Sequence, residues 1–305
     1  MNIKKYNLLI LILITGFILS CKATKTEVAE NEFKPLQNSL LWKIESDEFQ
    51  HPSYIFGTIH IIDSAEYFLP PGFQKAFDET ENVVFEIDMK KMNDPATLMN
   101  LLPKIMMRGD TSLKDLLSKE DYSILQQNFK KSGIPLFLFE KVKPLFLTMF
   151  TEGDIAPGFI QSGKYKSYEM EIMDMAKEQN KSTGGLETIE YQVSVLDSIP
   201  YKEQAKMLME SINAGEEGKS QMKELVDQYK QQNINALHQS IKSDDISRYE
   251  KILLNNRNQN WIPVIKEYMS KKPTFFAVGA GHLGGKDGVI NLLKKNGFKV
   301  TPVMD

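Results

Sequence analysis

Apolar and polar positions along this chain fall into two kinds of run. Near both ends of the chain, short stretches rich in aromatic and branched residues are bounded by turn signals. Between them, apolar residues recur at three- and four-residue spacing. The first kind opens at residues 40–44 and 53–57, and Gln50-His51-Pro52 between them reads as a hairpin turn. Pro70-Pro71-Gly72 leads into a helical stretch over residues 73–80, where Pro71 suits a first helical turn. Residues 82–88, Asn-Val-Val-Phe-Glu-Ile-Asp, read as a buried strand that ends in carboxylates.

The C-terminus repeats that plan. Residues 274–278 read as a strand, 279–285 as a glycine-rich turn and 286–295 as a helix with Val289, Ile290, Leu292 and Leu293 on its apolar face. Gly297 is a suitable helix stop, and residues 298–303 read as a closing strand. The middle, about residues 94–271, predicts mostly helix, at 121–132, 168–179, 202–213, 218–232 and 245–271. The expected fold is therefore α/β. Its mixed central sheet would be built from two pseudo-symmetric strand–turn–helix–strand halves, with a large helical insertion.

The N-terminus belongs to a different class. Lys4 and Lys5 precede an uncharged run from Tyr6 to Ser20, the pattern of a signal peptide over residues 1–20. Its apolar core, about 14 residues, is shorter than the roughly 20 that a membrane span needs. The run ends Ile18-Leu19-Ser20-Cys21, which reads as a lipobox, and Cys21 is the chain's single cysteine. Cys21 is thus the expected lipid-attachment residue, and no intrachain disulfide can form. Residues 21–38 read as a polar tether and 39–305 as the folded domain. The expected place is the bacterial cell envelope, outside the cytoplasm, with the membrane reached through the lipid. The net charge of −3 becomes −5 without Lys4 and Lys5. With no lysine and arginine cluster, that balance argues against nucleic acid as a partner.

Candidate chemistry starts from histidine, of which the chain has 4. Two of them end the same local pattern, Gly57-Thr58-Ile59-His60 and Gly279-Ala280-Gly281-His282, each after a predicted strand. Glycine at a strand end is expected to let the backbone turn sharply and deliver the imidazole to a cleft. His51 and His238 are expected at the surface. Glu86 ends the strand of residues 82–88, where strand carboxyl ends line the crevice of an open α/β sheet. Asp88 has the same sidedness. Gly184-Gly185-Leu186-Glu187-Thr188 reads as a loop whose Glu187 either serves a metal or opposes a helix dipole. Tyr168, Glu169, Glu171 and Asp174 lie together on one predicted helix. Arg257-Asn258-Gln259-Asn260-Trp261 is a polar–aromatic cluster able to bind a carboxylate or orient an acid. There is no Gly-x-Ser-x-Gly elbow and no His-Glu-x-x-His helix.

Taken together, Tyr54-Ile55-Phe56-Gly57-Thr58-Ile59-His60, Val84-Phe85-Glu86, Gly185-Leu186-Glu187-Thr188, Arg257-Asn258-x-x-Trp261 and Val278-Gly279-Ala280-Gly281-His282-Leu283-Gly284 resemble the TraB/GumN family. That family is related to the Tiki metalloproteases and to the pheromone-shutdown protein PrgY. The resemblance covers about residues 38–305. It implies the fold shared with erythromycin-esterase-like and ChaN-like proteins, and a divalent-metal peptidase site at His60, Glu86 and His282. Arg257, Asn258, Glu187 and Tyr168 would be supporting or substrate-contacting residues. One departure is Glu171, where the family pattern leads us to expect aspartate.

The expected function is a lipid-anchored, metal-dependent hydrolase of peptides or proteins. A nitrogen and oxygen donor set without thiolate suits manganese, cobalt or zinc. Two other functions stay open. One is a non-catalytic lipoprotein that binds a peptide, metal or haem, and the other is an esterase of small acyl substrates.

Overall fold

A computed structural model describes residues 34–150, 163–243 and 245–304. Residues 1–20, Cys21 and the tether as far as residue 33 lie outside the described residues. Among the described residues, no helix is long and apolar enough to cross a membrane.

A six-stranded mixed sheet forms the centre, in the order β6-β4-β7-β2-β1-β8. Its members are β1 (Leu41–Glu45), β2 (Ser53–Thr58), β4 (Asn82–Ile87), β6 (Ser182–Glu187), β7 (Thr274–Gly279) and β8 (Lys299–Pro302). A separate pair joins β3 (Ile62–Asp63) to β5 (Tyr165–Lys166). The predicted hairpin is present: β1 runs antiparallel to β2, with Leu41 opposite Phe56. Strands β2, β7, β4 and β6 are mutually parallel, with Phe56 beside Ala277 and Val84 beside Phe276.

The longer helices are α1 (Phe73–Asp78), α2 (Pro95–Ile105), α3 (Lys119–Lys131), α4 (Tyr168–Glu178) and α5 (Ile189–Leu196). They continue as α6 (Tyr201–Asn213), α7 (Gly215–Lys230), α8 (Ile234–Ser243), α9 (Asn256–Lys271) and α10 (Val289–Lys295). Adjacent residues of β7 serve opposite faces of the sheet. Phe275 meets Phe73 of α1 edge-on, with ring centroids 5.1 Å apart, whereas Phe276 meets Tyr268 of α9. Burial on both sides explains why the β2 and β7 segments read as continuous apolar runs rather than alternating ones.

Both strand–turn–helix–strand units are present, β2–α1–β4 and β7–α10–β8. They are not equivalent strand for strand. The first unit crosses over β7 alone, whereas the second crosses over β2 and β1 to reach the edge strand β8. The antiparallel β1, inserted by the hairpin, makes the difference. Crossovers of one hand that leave in opposite directions must lie on opposite faces. The contacts agree: α1 packs on the Phe275 face, and Lys294 of α10 lies over Trp42, which pairs with Ile55 on the other. The two connections therefore part between β2 and β7, which makes the carboxyl ends of those strands the crevice of the sheet.

Two expectations are corrected. Residues 184–187 are not a loop but the body of edge strand β6, so the helical middle also donates a strand to the central sheet. The place suits only glycine, because a Cβ on Gly184 would come within 2.3 Å of the Tyr268 hydroxyl. The long helix expected over 245–271 is broken into a 3-10 turn, a π turn (Lys251–Asn255) and α9. A smaller second core gathers Leu113, Leu125 and Phe129 against Leu208 and Met209 of α6.

Candidate active site

The two Gly-x-x-His turns meet at the β2–β7 crevice, and their glycines act through close approach rather than through unusual backbone angles. Neither Gly57 nor Gly279 has positive φ, which corrects the expectation of a sharp glycine turn. A Cβ on Gly57 would come within 2.7 Å of Leu283 Cδ1, so glycine lets the second motif press on the first. A Cβ on Gly279 would lie 3.2 Å from Glu86 Oε1, and the Gly279 amide donates to that same oxygen at 2.8 Å.

Glu86 leaves β4 on the α9 side of the sheet. Its Oε2 accepts from Arg257 Nη2 at 2.6 Å and from Gln192 Nε2 at 3.1 Å. Burial pushes its pKa up, but the Arg257 and His60 charges and the Gly279 amide outweigh burial and hold it well below the ordinary carboxylate range. His282 is 5% exposed and its imidazole is pushed down to about 3 by burial, against the pull of Glu86. It is therefore neutral at pH 7, and the charge that keeps Glu86 ionised is chiefly that of Arg257.

The tautomer of His282 follows from its partners. Asn258 Nδ2 donates to the Asp287 carbonyl at 2.9 Å, which turns Asn258 Oδ1 toward His282 Nδ1 at 2.6 Å. An amide oxygen only accepts, so Nδ1 carries the proton and Nε2 presents its lone pair. That lone pair faces Arg257 Nη1 at 3.2 Å and lies 3.8 Å from Glu86 Oε1. The ring lies against Trp261, with centroids 4.4 Å apart.

Arg257 links the centre together. Besides Glu86 and His282, it donates to Glu187 through Nε at 2.9 Å and Nη2 at 2.6 Å, and to the Leu253 carbonyl through Nη1. Trp261 Nε1 holds the other oxygen of Glu187 at 2.9 Å. Glu187 is thus a partner of Arg257, and the neighbouring Thr188 caps α5 by accepting from the Tyr191 amide.

His60 differs from His282 in being 78% exposed. Its Nδ1 lies 3.4 Å from Glu169 Oε1, which also accepts from the Thr58 hydroxyl at 2.8 Å, while Ser167 holds the other oxygen. The bond to Glu169 raises the His60 pKa, screened in part by water, and the charges of Glu86 and Arg257 reach it as well.

The acid beside His60 is therefore Glu169, one among several that residue order alone does not rank. Glu171 pairs instead with Lys166 at 2.7 Å. Tyr168 sits in the core against Phe56 and Tyr229, its hydroxyl donating to the Phe68 carbonyl. Asp88 accepts from the Lys90 amide at the turn after β4. His238, expected at the surface, is 7% exposed, packed beneath Gly284 and Gly285. Gln192 was not foreseen; only its place one turn into α5 from Thr188 hints at it.

The residues fit a divalent ion in kind but not in placement. Nitrogen and oxygen donors occur in two pairs, His282 with Glu86 and His60 with Glu169, each at a separation that neighbouring ligands could share. Among the described residues, no three such groups come together. The Arg257 guanidinium bridges the first pair, with Nη1 at His282 Nε2 and Nη2 at Glu86 Oε2.

Comparison with known proteins agrees in extent with this domain. The model of the TraB/PrgY/gumN family matches residues 40–302. Metalloprotease TIKI2 of Danio rerio is 22% identical over 317 residues, 86% of this chain and 60% of the relative. Metalloprotease TIKI1 of Homo sapiens is 25% identical over 329 residues, 89% of this chain and 64% of the relative. The metalloprotease TIKI homolog of Nematostella vectensis is 23% identical, with 96% of this chain and 75% of the relative covered. The chain thus spans less than two thirds of the length of the two vertebrate relatives.

Proposed function

The chain belongs to the TraB/PrgY/gumN family, and on that premise we propose that it is a peptidase-type hydrolase, with His60, Glu86 and His282 at its reacting centre. The observation that carries this reading is the convergence of the two Gly-x-x-His turns and the Glu86 strand end at the β2–β7 crevice. We propose further that a lipid on Cys21 holds the protein at the bacterial cell envelope. The basic and apolar pattern of residues 1–20 supports that part. Its partners would then be the membrane, through the lipid, and a peptide or protein substrate.

Exposed at the mouth, His60 is the group that an entering peptide meets first. With Nδ1–H turned to Glu169, the Nε2 of the neutral ring would take a proton from an attacking water and pass it to the leaving amine, and the raised pKa places that base form toward alkaline pH. His282 presents an unprotonated nitrogen inside the crevice. Glu86 supplies a carboxylate at the floor of the crevice, and Arg257, Glu187, Asn258 and Trp261 hold Glu86 and His282 in register. Metal dependence enters this proposal through the relatives' names. Such an ion would polarise the carbonyl and acidify water, and the donor set would suit manganese, cobalt or zinc.

The test is a quenched-fluorescent peptide library with the purified protein, with and without chelator. Cleavage should fall by at least about 100-fold in His60→Ala, His282→Ala and Glu86→Gln. Undiminished cleavage by all three would put the reaction elsewhere. Turnover of small acyl esters but not peptides would make the protein an esterase. No turnover, with a haem Soret band lost in His60→Ala or His282→Ala, would make it a binding protein.

A further inference from the structure

We propose that Arg257 is the resident cation of this pocket, so that a divalent ion and the Arg257 guanidinium exclude one another at Glu86. This assignment stands on geometry and not on peptidase activity. Every N–H of the guanidinium has a partner. Nη2 donates to Glu86 Oε2 and Glu187 Oε1, both at 2.6 Å, and Nε donates to Glu187. Nη1 donates to the Leu253 carbonyl at 3.1 Å and meets the His282 Nε2 lone pair at 3.2 Å. With five donors in all, a guanidinium so placed has none left over.

The surroundings are shaped for a planar cation. The guanidinium carbon lies 5.0 Å from the centre of the Trp261 ring. The π turn at Lys251–Asn255 just before α9 brings the Leu253 carbonyl within reach. The acceptors are spread along the two edges of a fork, which matches arginine. A point ion would need them to close in to about 2.0–2.2 Å from one centre. Glu86, Glu187 and His282 do not form such a set.

Charge leads to the same conclusion. Two largely enclosed carboxylates face one guanidinium, and the side chains of Arg257, Glu86 and Glu187 are 9%, 13% and 5% exposed. An added ion at the His282–Glu86 pair would stand beside the guanidinium with little water to screen the repulsion. Removing Arg257 would do the reverse, leaving two carboxylates and an oriented imidazole nitrogen with no cation.

The experiment is calorimetric titration of chelator-stripped protein with Mn2+ and Zn2+, in the wild type, Glu86→Gln, Arg257→Met, Arg257→Lys and the Arg257→Met/Glu86→Gln pair. Wild type and Glu86→Gln should bind either ion alike, because Glu86 is committed to Arg257. Arg257→Met should gain a one-to-one site at least about tenfold tighter than any in the wild type. The double variant should lose it, and Arg257→Lys, which keeps the charge, should not gain it. An ion lost in His60→Ala but kept in Glu86→Gln would lie on the Glu169 side and agree with the proposal. A stoichiometric ion in the wild type that Glu86→Gln abolishes would overturn it, and that comparison holds even if Arg257→Met fails to fold. The readout is metal uptake, so a protein that cleaves no peptide would refute the proposed function and leave this inference standing.

Discussion

Replacing Arg257 by methionine leaves the largely enclosed Glu86 and Glu187 without their guanidinium partner. Both carboxylates are too enclosed for water to take over, at 13% and 5% exposure. Arg257 is one of the charges that hold the Glu86 carboxyl below its ordinary range against burial. Breaking a buried pair from one side usually costs about 3–5 kcal/mol. Urea unfolding at pH 7 should therefore find Arg257→Met about 3 kcal/mol less stable than the wild type.

The pH dependence identifies the cause. In the wild type the folded pKa of Glu86 is depressed, so its contribution is present above pH 4.5 and is lost as pH falls toward 2. In the variant, burial is no longer outweighed and the folded pKa lies above the unfolded one. The variant then gains stability as pH falls, and the gap to the wild type narrows between pH 7 and pH 4.5. Adding Glu86→Gln should close much of the gap at pH 7. A deficit below about 1 kcal/mol, or one that is equal at both pH values, would refute the reasoning.

Asn258→Ala removes the acceptor that fixes the His282 tautomer; it should cost about 1–3 kcal/mol in urea unfolding and let the ring Nδ1 proton exchange faster by NMR. Glu169→Gln removes the carboxylate that raises His60, so the His60 NMR titration midpoint should fall toward the ordinary histidine value of about 6.5, and an unmoved midpoint would show that Glu169 does not act on it. If His60 acts as the base, the rising limb of the pH–rate profile should move down with it. Gly184→Ala pushes a methyl against the Tyr268 hydroxyl and should destabilise by about 1–3 kcal/mol. Tyr268→Phe in the same chain should recover part of that loss in thermal unfolding.

Much of the frame is legible residue by residue. The hairpin, the strand of Glu86, helix α1 and the final strand–helix–strand follow from apolar runs closed by Pro, Gly and Asn. The Gly-x-x-His pairs are visible because histidine is rare in this chain. The helical middle is less legible. Edge strand β6 carries two glycines, which lower strand propensity, and only pairing with β4 makes it a strand. The acids of α4 look alike in order along the helix, yet Glu169 turns to His60 while Glu171 turns to Lys166. Tyr168 and His238 read as polar positions and are drawn into packed interiors.

By itself, the order of residues determined most of the local elements, the α/β class and which side chains are chemically able to act, because backbone propensity and apolar period are properties of neighbours in the chain. Only the tertiary structure decided which of those side chains meet. Glu86, Glu187, Arg257 and His282 come from four elements far apart in the chain. Their pairing, and with it the charge of Glu86, the neutrality of His282 and the guanidinium that bridges them, depends on burial and distances that exist only once the parallel strands are in register.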